Sequence, residues 1–128
     1  MLLKPEEHLR QAFKNYLIEI IKVPPQCIEI EVPLSLFEPK NTKRCDLLVF
    51  KKEPQGKLAP WLLAEFKAPR HSLTSRIELQ VGNYLTVLKA EFLVLSNGNQ
   101  TLFYQQVNDK YLPIPCLPLF RSGQFSGK

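Results

Sequence analysis

Cysteine and histidine are scarce in this chain of 128 residues. Its three cysteines, Cys27, Cys45 and Cys116, are widely spaced and form no CxxC pair, and only two histidines, His8 and His71, accompany them. That scarcity argues against a zinc site and against a disulfide framework. Long hydrophobic runs are missing too: no apolar stretch approaches the ~20 residues a membrane span requires. The opening MLLKPEEHLR lacks the charged-then-apolar order of a secretory signal. The cytoplasm is therefore the expected compartment, with no membrane contact. There is no internal repeat and no separate linker.

What remains is an ordinary globular composition, 45% hydrophobic and 23% charged, which excludes a disordered or fibrous chain. The length suits one domain, residues 1–128, with one active site at most. Lysine and arginine total 17 against 12 acids, a net charge of +5. That balance favours a polyanionic partner without identifying it.

Residues 5–22 read as an amphipathic helix. Pro5 suits the first helical position, Glu6 and Glu7 the positive end of the dipole, and Leu9, Phe13, Tyr16, Leu17 and Ile20 form an apolar stripe. CIEIEV, from Cys27 to Val32, alternates as a half-exposed strand does. KRCDLLVFK, from Lys43, and PWLLAEFK, from Pro60, are apolar runs joined by the turn-rich KKEPQGK, and are expected to pair as a β-hairpin. Ser75 and Glu78 have capping-box spacing, and Ile77, Val81, Leu85 and Leu88 carry a second helix to Lys89. FLVL, from Phe92, and TLFYQQ, from Thr101, are two further strands. The core then spans about 5–106, and 107–128 is expected to be an irregular tail. Helix, three strands, helix and two strands make a mixed central sheet flanked by helices, an α/β fold.

Ionisable residues interrupt these apolar strands at three places: Asp46 opens DLLVF, and Glu65 and Lys67 end WLLAEFK. Glu65 and Lys67 are two apart, so they share a face of their strand. An antiparallel hairpin puts the start of the first strand beside the end of the second, which gathers two carboxylates and one ammonium. Two such carboxylates repel and favour a divalent cation, and hard oxygen donors suit Mg²⁺, or Mn²⁺ as a substitute. A nearby lysine can orient a metal-bound water. That set serves phosphodiester hydrolysis, which needs an ion on the phosphoryl oxygen, an activated nucleophile and positive charge near the transition state.

Asp46 followed nineteen residues later by Glu65-Phe66-Lys67 resembles the motif of the PD-(D/E)xK nucleases. PEEHLRQAF, KRCDLLVF, LLAEFKAP, LQVGNYL and FLVLSNG, in that order, resemble the nuclease domain at the N-terminus of type I restriction enzyme R subunits. The likeness covers about residues 5–106. It departs at Cys45, where the superfamily has proline, and it includes no helicase motor.

The resemblance implies a restriction-endonuclease-like αβββαβ core and a Mg²⁺-dependent endonuclease acting on DNA. Asp46 and Glu65 would bind the metal with the Phe66 carbonyl, and Lys67 would position the attacking water. Gln80 and Tyr84 fit a Q-x-x-x-Y element on the second helix, Gln80 near the metal and Tyr84 or Arg76 on a phosphate or base. The family's first helix also supplies a glutamate. Glu6 lies inside the apolar stripe at ~100° per residue and Glu7 points away, so Glu6 is the choice, as catalytic residue and metal ligand. Among the basic residues that could line a DNA path, Lys40, Lys43, Arg44, Lys51, Lys52, Lys57, Arg70 and Arg76, the best phosphate contact is Arg70, three residues past Lys67. Partners would be DNA, with a homodimer or a separate motor or specificity subunit.

Plainer readings stand beside these. Glu6 and Glu7 suit a solvated helix end, Lys67 suits a cross-strand ion pair, and Gln80 and Tyr84 suit the edge of a core. Glu65 is harder to explain away: it follows Trp61-Leu62-Leu63-Ala64 directly, where a carboxylate costs several kcal/mol, on the order of a protein's whole margin, unless paired or metal-bound. The alternative function is a non-catalytic DNA-binding or scaffold subunit of a larger restriction or repair complex.

Overall fold

The computed structural model describes residues 4–69, 73 and 88–121. Helix α1 runs Pro5–Tyr16 with no side-chain cap. Pro5 sits in its first turn, where a missing N–H leaves no hydrogen bond unmade, and Glu6 and Glu7 meet the positive end of the dipole. The path then widens into a π-helical turn, Leu17–Ile21. Lys22 closes it in the left-handed region (φ 72°), and the Val23 N–H donates to the Leu17 carbonyl at 2.9 Å.

This turn corrects the predicted stripe. Ile20 was expected in the core and is 58% exposed, whereas Ile21 is buried with Phe13 and Leu17. A π-turn advances each residue by less than the α-helical ~100°, so the position four after Leu17 comes round to the core and the position three after it falls short.

Six strands follow: β1 (Ile28–Pro33), β2 (Arg44–Lys52), β3 (Leu58–Phe66), β4 (Phe92–Ser96), β5 (Thr101–Val107) and β6 (Lys110–Ile114). They lie in one sheet in chain order. β1, β2 and β3 are antiparallel neighbours, as are β4, β5 and β6, and β3 and β4 run parallel. The expected hairpin of β2 and β3 is present, and the run from Leu47 to Val49 is buried on both faces of the sheet.

A parallel pair needs a crossover, and residues 67–91 supply it. The expected second helix falls there and, apart from its last residues from Leu88, lies outside the described residues. Leu73 and Leu88 pack with Leu48, Leu63, Leu93 and Leu95 on one face of the sheet. On the other, Phe13, Leu17 and Ile21 of the helical segment pack with Leu47, Val49, Leu62, Ala64, Phe66 and Val94. The fold is α/β: a mixed sheet with apolar layers on both faces.

Two local features shape the first of those layers. The β2–β3 register runs Val49↔Leu62 and then Phe50↔Pro60, which leaves Trp61 as the extra residue of a bulge. Pro60 has no N–H to give a ladder, and the bulge spares it that role. The bulge also lets Trp61 join its neighbour Leu62 in the same cluster, where its ring meets Phe92 edge-on at 5.1 Å.

Residues 107–128 were expected to be an irregular tail, but Lys110–Ile114 form strand β6, and only 115–121 of the described remainder are irregular. Asn108 and Asp109 both take positive φ (48° and 61°), and Val107 pairs with Lys110 across them. That is a two-residue hairpin turn of the kind asparagine and aspartate favour. Pro113 is accommodated because β6 is the last strand of the sheet. Beyond it, Leu117 and Phe120 return to the core, and the Phe120 N–H donates to the Ile21 carbonyl at 2.8 Å.

Candidate active site

The ladder between β2 and β3 stops at Leu47↔Ala64. On either side pairing continues: β1 follows β2 to Pro33↔Arg44, and β4 follows β3 to Phe66↔Ser96, with the Lys67 N–H on the Ser96 carbonyl at 2.9 Å. The sheet therefore forks between two intact strand pairs. Backbone donors at a fork lose their partners, and an orphaned buried N–H is costly.

Here two carboxylates take the place of the missing carbonyls. The Asp46 N–H donates to Glu65 Oε1 at 3.2 Å, and the Phe66 N–H donates to Asp46 Oδ2 at 2.7 Å. Each acid is held by the other's strand. Glu65 is only 6% exposed, and Asp46 and Lys67 are half-buried.

Burial governs their protonation. Glu65 is pushed up to about 8, first by desolvation and then by the Asp46 charge, against the lowering influence of the Asp46 N–H, Lys67 and Lys43. Asp46 is also raised, chiefly by burial, while the Phe66 N–H and the Lys67 and Arg10 charges lower it and Glu31 opposes them. At neutral pH and without a cation the pair retains a proton. A divalent ion would displace it, and two hard oxygen donors held at one fork have the chemistry that Mg²⁺ or Mn²⁺ takes.

The hydrogen bonds at the fork join Asp46, Glu65 and Phe66, and the Lys67 charge acts on both carboxylates. Glu6 is half-buried on the first turn of α1, and among the described residues no group of three or more His, Cys, Asp or Glu side chains is placed to hold a metal. Arg70, Arg76, Gln80 and Tyr84 lie outside the described residues. Cys45, one residue before Asp46, is fully buried; its thiol donates to the Leu47 carbonyl at 3.2 Å and burial pushes its pKa up, which favours the protonated thiol.

Two residues near the fork escaped the sequence reading. Arg10 of α1 ion-pairs with Glu31 of β1 at 3.6 Å, and both charges act on Asp46. Arg10 stands one helical turn after Glu6, so the stripe that pointed to Glu6 carried a signal for Arg10 as well. Glu31 had none, because it reaches the site only through the β1–β2 register.

No curated protein matches the chain. The family model for the N-terminus of the type I restriction enzyme R protein matches residues 5–118, taking in α1, the fork and β6. With nearly its whole length covered, the chain belongs to the type I restriction enzyme R protein N-terminus family.

Proposed function

We propose that the protein is a metal-dependent endonuclease of the PD-(D/E)xK superfamily, with a restriction-endonuclease-like core, that hydrolyses DNA phosphodiester bonds in the cytoplasm. The observation that carries this reading is the reciprocal hold of Asp46 and Glu65 at the fork, with Lys67 beside them. Family membership supports the reading, since it gives the chain a restriction-related role.

Asp46 and Glu65 would hold Mg²⁺, with the Phe66 carbonyl as a further ligand; Glu6, expected as a third acidic ligand, is not grouped with them. A bound ion polarises the phosphoryl oxygen and makes water a stronger acid. Lys67, on the same face as Glu65, orients the attacking water and adds positive charge where the transition state gains negative charge. Gln80 would close the site from the crossover, and Arg70, Arg76 and Tyr84 would hold flanking phosphates or a base. One such site cuts one strand. A double-strand break then requires two protomers, or a motor or specificity subunit that delivers DNA twice.

Cleavage of supercoiled plasmid with Mg²⁺ or Mn²⁺, wild type beside Lys67→Ala, tests the reading. Cleavage lost only in the variant supports it. A wild type that binds DNA, fails to take up Mn²⁺ by calorimetry and never cleaves overturns it in favour of a binding or scaffold subunit.

A further inference from the structure

Arg10 sits in an unusual position for an arginine. Its side chain is only 16% exposed, and among the described residues its one ion pair is to Glu31, with Nη1 and Oε2 3.6 Å apart. A guanidinium has five N–H donors arranged as a planar fork suited to an anion with two oxygens. The same guanidinium acts on Asp46 of the fork, in a place largely closed to water.

Its partner is equally particular. Glu31 lies between the paired residues Ile30↔Leu47 and Val32↔Cys45, so its register position is across from Asp46. It takes φ 50°, a left-handed conformation that glutamate rarely adopts within a strand, and its side chain is 57% exposed. Strain of this kind persists where the surroundings impose it and clusters at functional sites. The Arg10–Glu31 pair therefore spans from α1 to the strand alongside the carboxylate fork.

We infer that Arg10 is a phosphate-binding residue of this site, holding the DNA phosphate next to the one cleaved, and that Glu31 occupies its guanidinium until DNA displaces it. The inference rests on the nuclease reading for its substrate. It differs from that reading in what it requires: Arg10 must contact DNA whether or not the chain cuts.

Binding of a labelled duplex oligonucleotide in EDTA, by fluorescence anisotropy across a salt series, separates the two. Arg10→Ala is expected to weaken binding about tenfold and to lower the slope of log affinity against log salt by about one, the loss of one phosphate contact. Arg10→Lys should keep the slope and recover part of the affinity. Glu31→Gln should tighten binding, because it removes the competing carboxylate, and the gain should vanish in the Arg10→Ala background; loss of a negative charge by itself would tighten both alike. Should Arg10→Ala fail to fold, Arg10→Lys and Glu31→Gln decide the matter.

An unchanged affinity and slope in Arg10→Ala, or weaker binding in Glu31→Gln, overturns the assignment. A wild type that binds with these dependences yet never cleaves plasmid with Mn²⁺ sinks the nuclease reading and leaves Arg10 in place. A wild type that cleaves, with Arg10→Ala unchanged in KM and salt slope, does the reverse.

Discussion

The ring of Phe120 stands edge-on to the ring of Trp61, centroids 5.0 Å apart and planes at 87°. One residue belongs to the last described stretch of the chain and the other to a bulge in a central strand. Their contact ties the segment after β6 to the layer beneath α1. Phe120→Ala should therefore destabilise the protein by about 3 kcal/mol. Urea unfolding would measure it, and a loss under 1 kcal/mol would show that the segment is not part of the cooperative fold.

The π-turn makes adjacent isoleucines unequal. Ile21→Ala should cost about 3 kcal/mol, while Ile20→Ala should change stability by no more than about 0.5 kcal/mol. Equal losses in the two variants would mean that the helix continues in α-helical phase.

The protonation of Glu65 gives a pH signature. Its carboxyl is raised to about 8 in the folded chain, against an unfolded value in the usual glutamate range of ~4.3. Between those values the folded state binds the extra proton. Metal-free stability is therefore fully present below the unfolded value and falls by several kcal/mol as pH rises towards 8. Unfolding in EDTA from pH 4.5 to 8.5 should show the decline, and Glu65→Gln should flatten it. Added Mg²⁺ should restore stability at the alkaline end. A flat wild-type profile would contradict the buried carboxylate pair.

Asp46 is asked to do two things, and they can be separated. Asp46→Ala should reduce plasmid cleavage at least ~100-fold. It should also cost about 1–2 kcal/mol, because the Phe66 N–H loses its acceptor. Circular dichroism and cleavage measured on the same sample would check both. Full activity in a folded variant would move the active site elsewhere.

The hairpin of β2 and β3 was legible because two apolar runs flank a turn-rich segment, and the fork followed from it: alternation puts Glu65 and Lys67 on one face, and antiparallel pairing brings Asp46 to them. What lay beyond the hairpin was harder. Glu31 joins the site through a register set by the whole connection from Leu34 to Lys43, which no local pattern encodes. Arg10 depends on how α1 docks, a tertiary matter, although its spacing from Glu6 was visible. The π-turn at Leu17–Ile21 has no residue signature. β6 did have one, in Asn108-Asp109, but its strand contains a proline and reads as loop by composition. Gln80, Tyr84, Arg70 and Arg76 were chosen by likeness alone and lie outside the described residues.

Lys67 is the first residue after β3 and the start of the crossover that leads to β4. The chain therefore leaves the carboxylate fork directly into the long connection between β3 and β4. Segments that link elements tolerate insertion and replacement far better than paired strands do. On the proposed nuclease reading, chemistry and substrate choice would be separable along the chain: the strands would fix what is done to a phosphate, and the crossover would be free to change which nucleic acid is brought to it. A lineage carrying this sheet could then alter its targets without rebuilding the carboxylate pair.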